Sequence, residues 1–149
     1  MATVCLRKRG THNSRAATPP VSGISRSVYY SSYNNNMEIT YEDFLKVDIR
    51  VGKIIEVNDF PEARKPAFQL KIDFGPEIGI KQSSAQLVGA HTKEDLLGKL
   101  VCCVVNFAPK KIANFTSEVL TLGFRNSEGS GWVVVTPSKD SVKLGSRLA

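Results

Sequence analysis

Nucleophilic or metal chemistry would have to come from very few side chains. The sequence holds two histidines, His12 and His91, and three cysteines, Cys5, Cys102 and Cys103. Cys102 and Cys103 are neighbours in an apolar run, so a strand would point them to opposite faces. With His91 as the one histidine beyond residue 36, they assemble no metal cage. Cysteines in such a run are ordinarily inert core residues, which counts against a Cys-His nucleophile. Ser83-Ser84 beside Lys81 matches neither a G-x-S-x-G elbow nor an S-x-x-K motif. Gly75, Gly79 and Gly89 lack the spacing of a phosphate-binding loop. No catalytic residue, metal or cofactor is expected.

Two clusters are suited to binding instead. In the stretch 108–118, the adjacent cations Lys110 and Lys111 are followed by Ser117 and Glu118. Lysines meet phosphates as point charges, and Ser117 and Asn106 offer hydrogen bonds to sugar or base edges. The second cluster is the basic turn Pro61-Glu62-Ala63-Arg64-Lys65-Pro66, set against the polar run Lys81-Gln82-Ser83-Ser84. On composition alone an ordinary solvated surface accounts for both.

The net charge of +6 does not mark a strongly basic domain. Five of the 20 basic residues and none of the 14 acidic ones lie in residues 1–36, which leaves residues 37–149 with 15 against 14. A ligand of the folded part must therefore be held by a local patch. Residues 1–36 are rich in Ser, Thr, Arg and Asn and lack apolar periodicity, so a disordered extension is expected there, with the folded domain at 37–149. An Arg- and Ser-rich, acid-free start without an apolar h-region fits an organellar transit peptide for plastid or mitochondrion. The alternatives are a plain disordered extension, an upstream mis-start with Met37 as the working initiator and a cytoplasmic protein, or an RNA-binding arm. The longest apolar run, Leu100 to Val105, is far below the roughly 20 residues of a spanning helix, so no membrane partner is expected. Three cysteines without a paired framework fit a reducing compartment.

The elements that would position these clusters read mostly as strands. Thr40 followed by Glu42 and Asp43 caps a short helix. A long bent strand follows over 48–57, with Gly52 where a bulge or barrel bend would sit. Phe68, Leu70, Ile72 and Phe74 alternate with Gln69, Lys71 and Asp73 at period two. Residues 78–87 are β-like with a polar middle, Thr92–Gly98 form a short connecting helix, and Leu100–Val105 form a central strand. Residues 119–124 and 132–135 then make a final hairpin around the 126–131 turn. An all-β, five-stranded chain with a helix before the fourth strand has the layout of an OB-fold barrel with short peripheral helices. A small sandwich or SH3-like barrel shares the strand count but does not call for that helix.

The blocks Asp48-Ile49-Arg50-Val51-Gly52-Lys53-Ile54, Phe60–Ala67, Ile72-Asp73-Phe74-Gly75, Ile80–Gln86 and Val105–Ile112 with Ser117-Glu118-Val119-Leu120 resemble the tRNA-binding domain family, and within it the stand-alone CsaA branch. The resemblance runs from about Tyr41 to the C-terminus. It implies a homodimeric OB-fold, a domain also found fused to methionyl-tRNA synthetases and synthetase cofactors, recognising tRNA largely by shape. CsaA proteins are also described as export-related chaperones. Carried across, Asn106, Lys110, Lys111, Ser117 and Glu118 fall on the family's basic loop and its following serine, and Arg64, Lys81 and Ser84 fall on the facing surface. Asn114 stands where glycine is usual; Asn tolerates left-handed backbone, so the turn is expected to be kept there. Phe107-Ala108 replaces the more common Leu-Lys, one cation fewer, so weaker RNA binding is expected.

The expected function is a noncatalytic tRNA-binding homodimer in which Lys110 and Lys111 are the principal phosphate contacts. Two loops at fixed separation would add through effective concentration what one nearly neutral domain lacks. The alternatives are a chaperone binding unfolded peptides in an apolar groove and an accessory subunit delivering tRNA to an aminoacyl-tRNA synthetase.

Overall fold

The computed structural model describes residues 38–149. The expectations for residues 1–36, a disordered extension or an organellar transit peptide, lie outside the described residues.

A one-turn helix, α1 (Tyr41–Leu45), opens the fold. Thr40 caps it: its hydroxyl accepts from the Asp43 amide at 3.2 Å while the Asp43 carboxylate accepts from the Thr40 amide at 3.2 Å, which satisfies two end donors reciprocally. Five antiparallel strands then form a nearly closed barrel. They are β1 (Ile49–Asp59), β2 (Phe68–Asp73), β3 (Ile80–Ala85), β4 (Leu100–Val104) and the short β7 (Leu120–Thr121), in the spatial order β3-β2-β1-β4-β7. The connecting helix α2 (Lys93–Leu96) stands between β3 and β4 as the sequence predicts, capped by Thr92 and ended by Gly98 at φ +80°. Two small hairpins complete the chain: β5 (Lys110–Ile112) with β6 (Phe115–Ser117), and β8 (Gly123–Arg125) with β9 (Trp132–Val134).

The period-two reading of β2 holds. Phe68, Leu70, Ile72 and Phe74 are all buried, and they meet Ile54, Leu96, Val101 and Cys103 in the core. Burying a side chain of this size stabilises by about 1.5–3 kcal/mol, so this stripe fixes the register of the sheet.

Gly52 serves another purpose than the expected bulge. A Cβ there would stand 2.6 Å from Ile72 Cγ2 and 2.8 Å from the Phe74 ring, so glycine is needed because β2 side chains cross directly over the β1 backbone. The bulge comes three residues later, where Ile55 is the extra residue between the Ile54–Ile72 and Glu56–Lys71 pairs. It bends β1 so that its two halves take different neighbours. The late half pairs with β2, while beside the early half the Gly145 amide donates to Val51 O, the Val51 amide to Ser146 O and the Leu148 amide to Ile49 O. The final strand of the sequence reading is likewise divided. β7 pairs with β4, β8 pairs with β9, and Leu122 between them donates to Cys102 O and accepts from the Val135 amide.

Candidate nucleic-acid interface

The β5–β6 hairpin packs against the free edge of β3, and its attachment uses side chains in place of a regular ladder. The Ser117 hydroxyl accepts from the Ser84 amide at 3.1 Å and donates to Val119 O at 3.1 Å. The Glu118 carboxylate accepts from the Gln82 amide at 3.0 Å and pairs with Lys81 Nζ at 3.4 Å, while the Glu118 amide donates to Gln82 O at 2.8 Å. Beneath the seam the buried Ser83 hydroxyl donates to Val119 O. Two open amides of the β3 edge are in this way covered by the Ser117 and Glu118 side chains, and the Gln82 carbonyl between them by the Glu118 amide.

At the tip of that hairpin the Phe115 ring lies 5.6 Å from Phe60, at 59°, an ordinary tilted aromatic pair. Phe60 begins the β1–β2 loop, so this pair holds the two candidate clusters at one end of the barrel. Lys110 and Lys111 come from the hairpin, directly opposite Ser117 and Thr116, and Arg64 and Lys65 come from the loop. All four are exposed and have no carboxylate partner among the described residues. Several cations elsewhere on the barrel are committed, among them Lys71 to Glu56 at 2.7 Å and Lys93 to Asp59 at 2.7 Å, whereas Lys53 on β1 and Arg125 on β8 have no carboxylate partner among the described residues. The Lys71 ammonium, and after it the Asn58 amide, hold the Glu56 carboxyl below the usual carboxylate range.

The other residues singled out in the sequence are placed differently. The Asn106 side chain is used at both ends, its oxygen accepting from the Asp48 amide at 3.0 Å and its nitrogen donating to Lys46 O at 2.7 Å. It ties the start of the hairpin segment to the α1–β1 connection. Lys81 and Ser84 are three residues apart on a strand and so point to opposite faces. Ser84 stands opposite Gln69, which in turn stands opposite Asn58, and this row of polar groups crosses the outer face of β1, β2 and β3. Asn58 and Gln69 were not singled out in the sequence, although the alternation that placed Leu70 inside also placed Gln69 outside. The Phe60–Phe115 pair had no sequence signal, because its members are far apart in the chain.

Both cysteines and His91 are engaged in the packing and hydrogen bonding of the barrel. Burial pushes the Cys103 thiol up to about 12, and burial also raises Cys102. His91 bonds Asp95 through Nδ1 and accepts from the Val134 amide at Nε2, 3.3 Å. Among the described residues no group of three or more His, Cys, Asp or Glu side chains is placed to hold a metal ion. Nor is any helix among them long and apolar enough to cross a membrane.

Residues 49–147 match the model of the putative tRNA binding domain. The chain belongs to that family. Members of the tRNA-binding domain family with similar sequences include methionine–tRNA ligase of Thermococcus onnurineus, 37% identical over 110 residues, and that of Parabacteroides distasonis, 40% identical over 111 residues. Each alignment takes in 74% of this chain but only 14% and 16% of the ligases, so the chain spans a small part of those relatives' length. Among solved structures, CsaA chaperone protein from Picrophilus torridus is 53% identical with a TM-score of 0.69, covering 75% of this chain and all of that one. Chaperone CsaA from Bacillus anthracis is 42% identical with a TM-score of 0.70, covering 76% and all of that one.

Proposed function

We propose that this chain is a noncatalytic tRNA-binding protein that works as a homodimer and takes tRNA by its backbone and shape. The observation that carries the reading is the placement of four unpaired cations, Lys110, Lys111, Arg64 and Lys65, on the two loops joined through Phe60 and Phe115. These loops, after the first and fourth barrel strands, are the ones OB-fold barrels use for oligonucleotides. The family's description and the methionine–tRNA ligase relatives support tRNA as the ligand. In this reading Lys110, Lys111, Arg64 and Lys65 meet phosphates, and Ser84 presents a hydroxyl beside them. Ser117, Glu118, Lys81 and Asn106 position the hairpin.

A second copy is supported by an apolar row on the outer side of the barrel. Ile49, Val104 and Leu120 stand side by side across β1, β4 and β7; Val104 is already buried within the chain and Ile49 half-buried, so the surface offered is exposed Leu120 with exposed Leu148 and Leu45. The test is a salt series of tRNA binding by the full chain and by the Lys110→Ala, Lys111→Ala double variant. Two lost phosphate contacts lower the log–log salt slope by about 1.4–1.8. An unchanged slope removes the hairpin from the site.

The chaperone reading is favoured by one observation, the exposed cross-strand pair Phe124 and Val133 on β8 and β9, together with the CsaA likeness. An unfolded peptide that binds this chain and is released by Phe124→Ser, with tRNA binding intact, supports it. The Arg-rich, acid-free residues 1–36 support an organellar address, which import into isolated plastids or mitochondria with shortening of the chain tests.

A further inference from the structure

Two phenylalanines stand well out of the barrel surface, Phe124 at 74% exposure and Phe107 at 53%. Their surroundings differ. Phe124 faces Val133 across the β8–β9 hairpin, and the single cation next to it in the chain, Arg125, is tied back to Gly129 O, so its near neighbourhood is one apolar side chain and one tethered guanidinium. Phe107 lies three residues before Lys110, a stretch of chain that spans at most about 10 Å.

The ring of Phe107 has no aromatic partner among the described residues, but its backbone is anchored. Asn106, immediately before it, is bonded through both ends of its amide to Asp48 and Lys46, and Pro109, two residues after it, has a fixed φ. An exposed aromatic on a fixed support, next to cations without partners, is the arrangement that binds single-stranded nucleic acid. The ring stacks on a base and the cations follow the phosphates, with little ordering left to do on binding.

We propose that Phe107 is a stacking platform for an unpaired base, so that the RNA held at Lys110 and Lys111 runs single-stranded past the start of the β5–β6 hairpin. This rests on the RNA-binding reading above and narrows it to RNA that presents an unpaired segment at this loop. A paired base has both faces covered within the helix, so a duplex gains nothing from the ring. A phenyl ring carries no hydrogen-bonding group, so it distinguishes unpaired from paired bases without choosing among the four.

The test uses the full chain with Phe107→Ala, Phe107→Leu and Phe107→Tyr, each titrated with total tRNA, an unstructured RNA oligonucleotide and a blunt RNA duplex of the same length. Phe107→Ala weakens the oligonucleotide and tRNA by about 5- to 150-fold, leaves the duplex unchanged and keeps the wild-type salt slope. Phe107→Tyr restores binding because the π-face is kept; Phe107→Leu does not, although it keeps the apolar volume. Equal losses for oligonucleotide and duplex, no loss with Phe107→Ala, or full recovery with Phe107→Leu overturns the stacking role. If the wild-type chain binds none of the three RNAs, the RNA-binding reading falls and this inference with it. If the wild type binds with a steep salt slope and Phe107→Ala matches it, the stacking role alone falls.

Discussion

Glu118 offers a sharp separation between holding the site and touching the ligand. One of its carboxylate oxygens accepts from the Gln82 amide at 3.0 Å, and the other pairs with Lys81 at 3.4 Å, at side-chain exposures of 32% and 37%. Glu118→Ala leaves the part-buried Gln82 amide without its acceptor. A hydrogen bond to a charged group contributes about 1.5–3 kcal/mol, and a partly exposed ion pair adds about 0–1, so a loss of about 2–3 kcal/mol follows. Glu118→Gln keeps an oxygen for the Gln82 amide and loses only the charge, which costs about 1 kcal/mol. Urea unfolding at constant m value reads both changes. At urea-free, low-salt conditions Glu118→Gln binds tRNA no more weakly than wild type, since it removes an anion and releases Lys81 beside a polyanionic ligand. If Glu118→Ala left the urea midpoint in place while Glu118→Gln weakened tRNA binding severalfold, Glu118 would be a ligand contact and the seam argument would be wrong.

Three further perturbations test other parts of the fold. Gly52→Ala forces a methyl against Ile72 and Phe74 and destabilises by about 1–3 kcal/mol in urea unfolding. Ala113→Gly relieves the left-handed backbone at φ +50° and stabilises by about 1 kcal/mol in the same assay, whereas Asn114→Gly brings no such gain. His91, and after it Lys99, hold the Asp95 carboxyl below its ordinary value. Its contribution is therefore complete above the unfolded carboxylate pKa of about 4 and is lost as pH falls through the lower folded value. The stability difference between wild type and Asp95→Asn accordingly shrinks on acidification, as followed by urea midpoints across pH.

Local signals were legible in the sequence and distant ones were not. The caps Thr40 and Thr92, the Gly98 terminator and the alternation of Phe68 to Phe74 depend on neighbours within a few residues, and each appears as expected. Gly52 was recognisable as special, but its reason lies in Ile72 and Phe74, which come over it from another strand, so a bend was the natural local explanation. The hairpin turn shows the same limit. Asn114 tolerates left-handed backbone, yet the residue that adopts it is Ala113, the first of the two between Ile112 and Phe115. Pairing Ile112 with Phe115 leaves a two-residue hairpin turn, and its one positive φ falls at the first position, as in the type II′ turn that hairpins favour over type II. At the candidate site the cations were visible as cations. That Asn106, Ser117 and Glu118 spend their polar groups inside the protein was not, because their partners at Asp48, Ser84 and Gln82 lie more than thirty positions away.

The divided neighbourhood of β1 bears on how the chain is made. Its early half waits for a segment about a hundred positions further on: the Arg50 guanidinium donates to Gly145 O, 95 residues later. At a synthesis rate of about 5–20 residues per second, that edge stays open for about 5–20 s on the ribosome. Closure of so long a loop also places folding toward the slow end of the scale for small domains. During that interval the unpaired edge of Ile49 to Val51 is a template for another chain. A nascent chain arrested before residue 145 is accordingly expected to aggregate, and adding residues 145–149 back as a separate peptide is expected to suppress it.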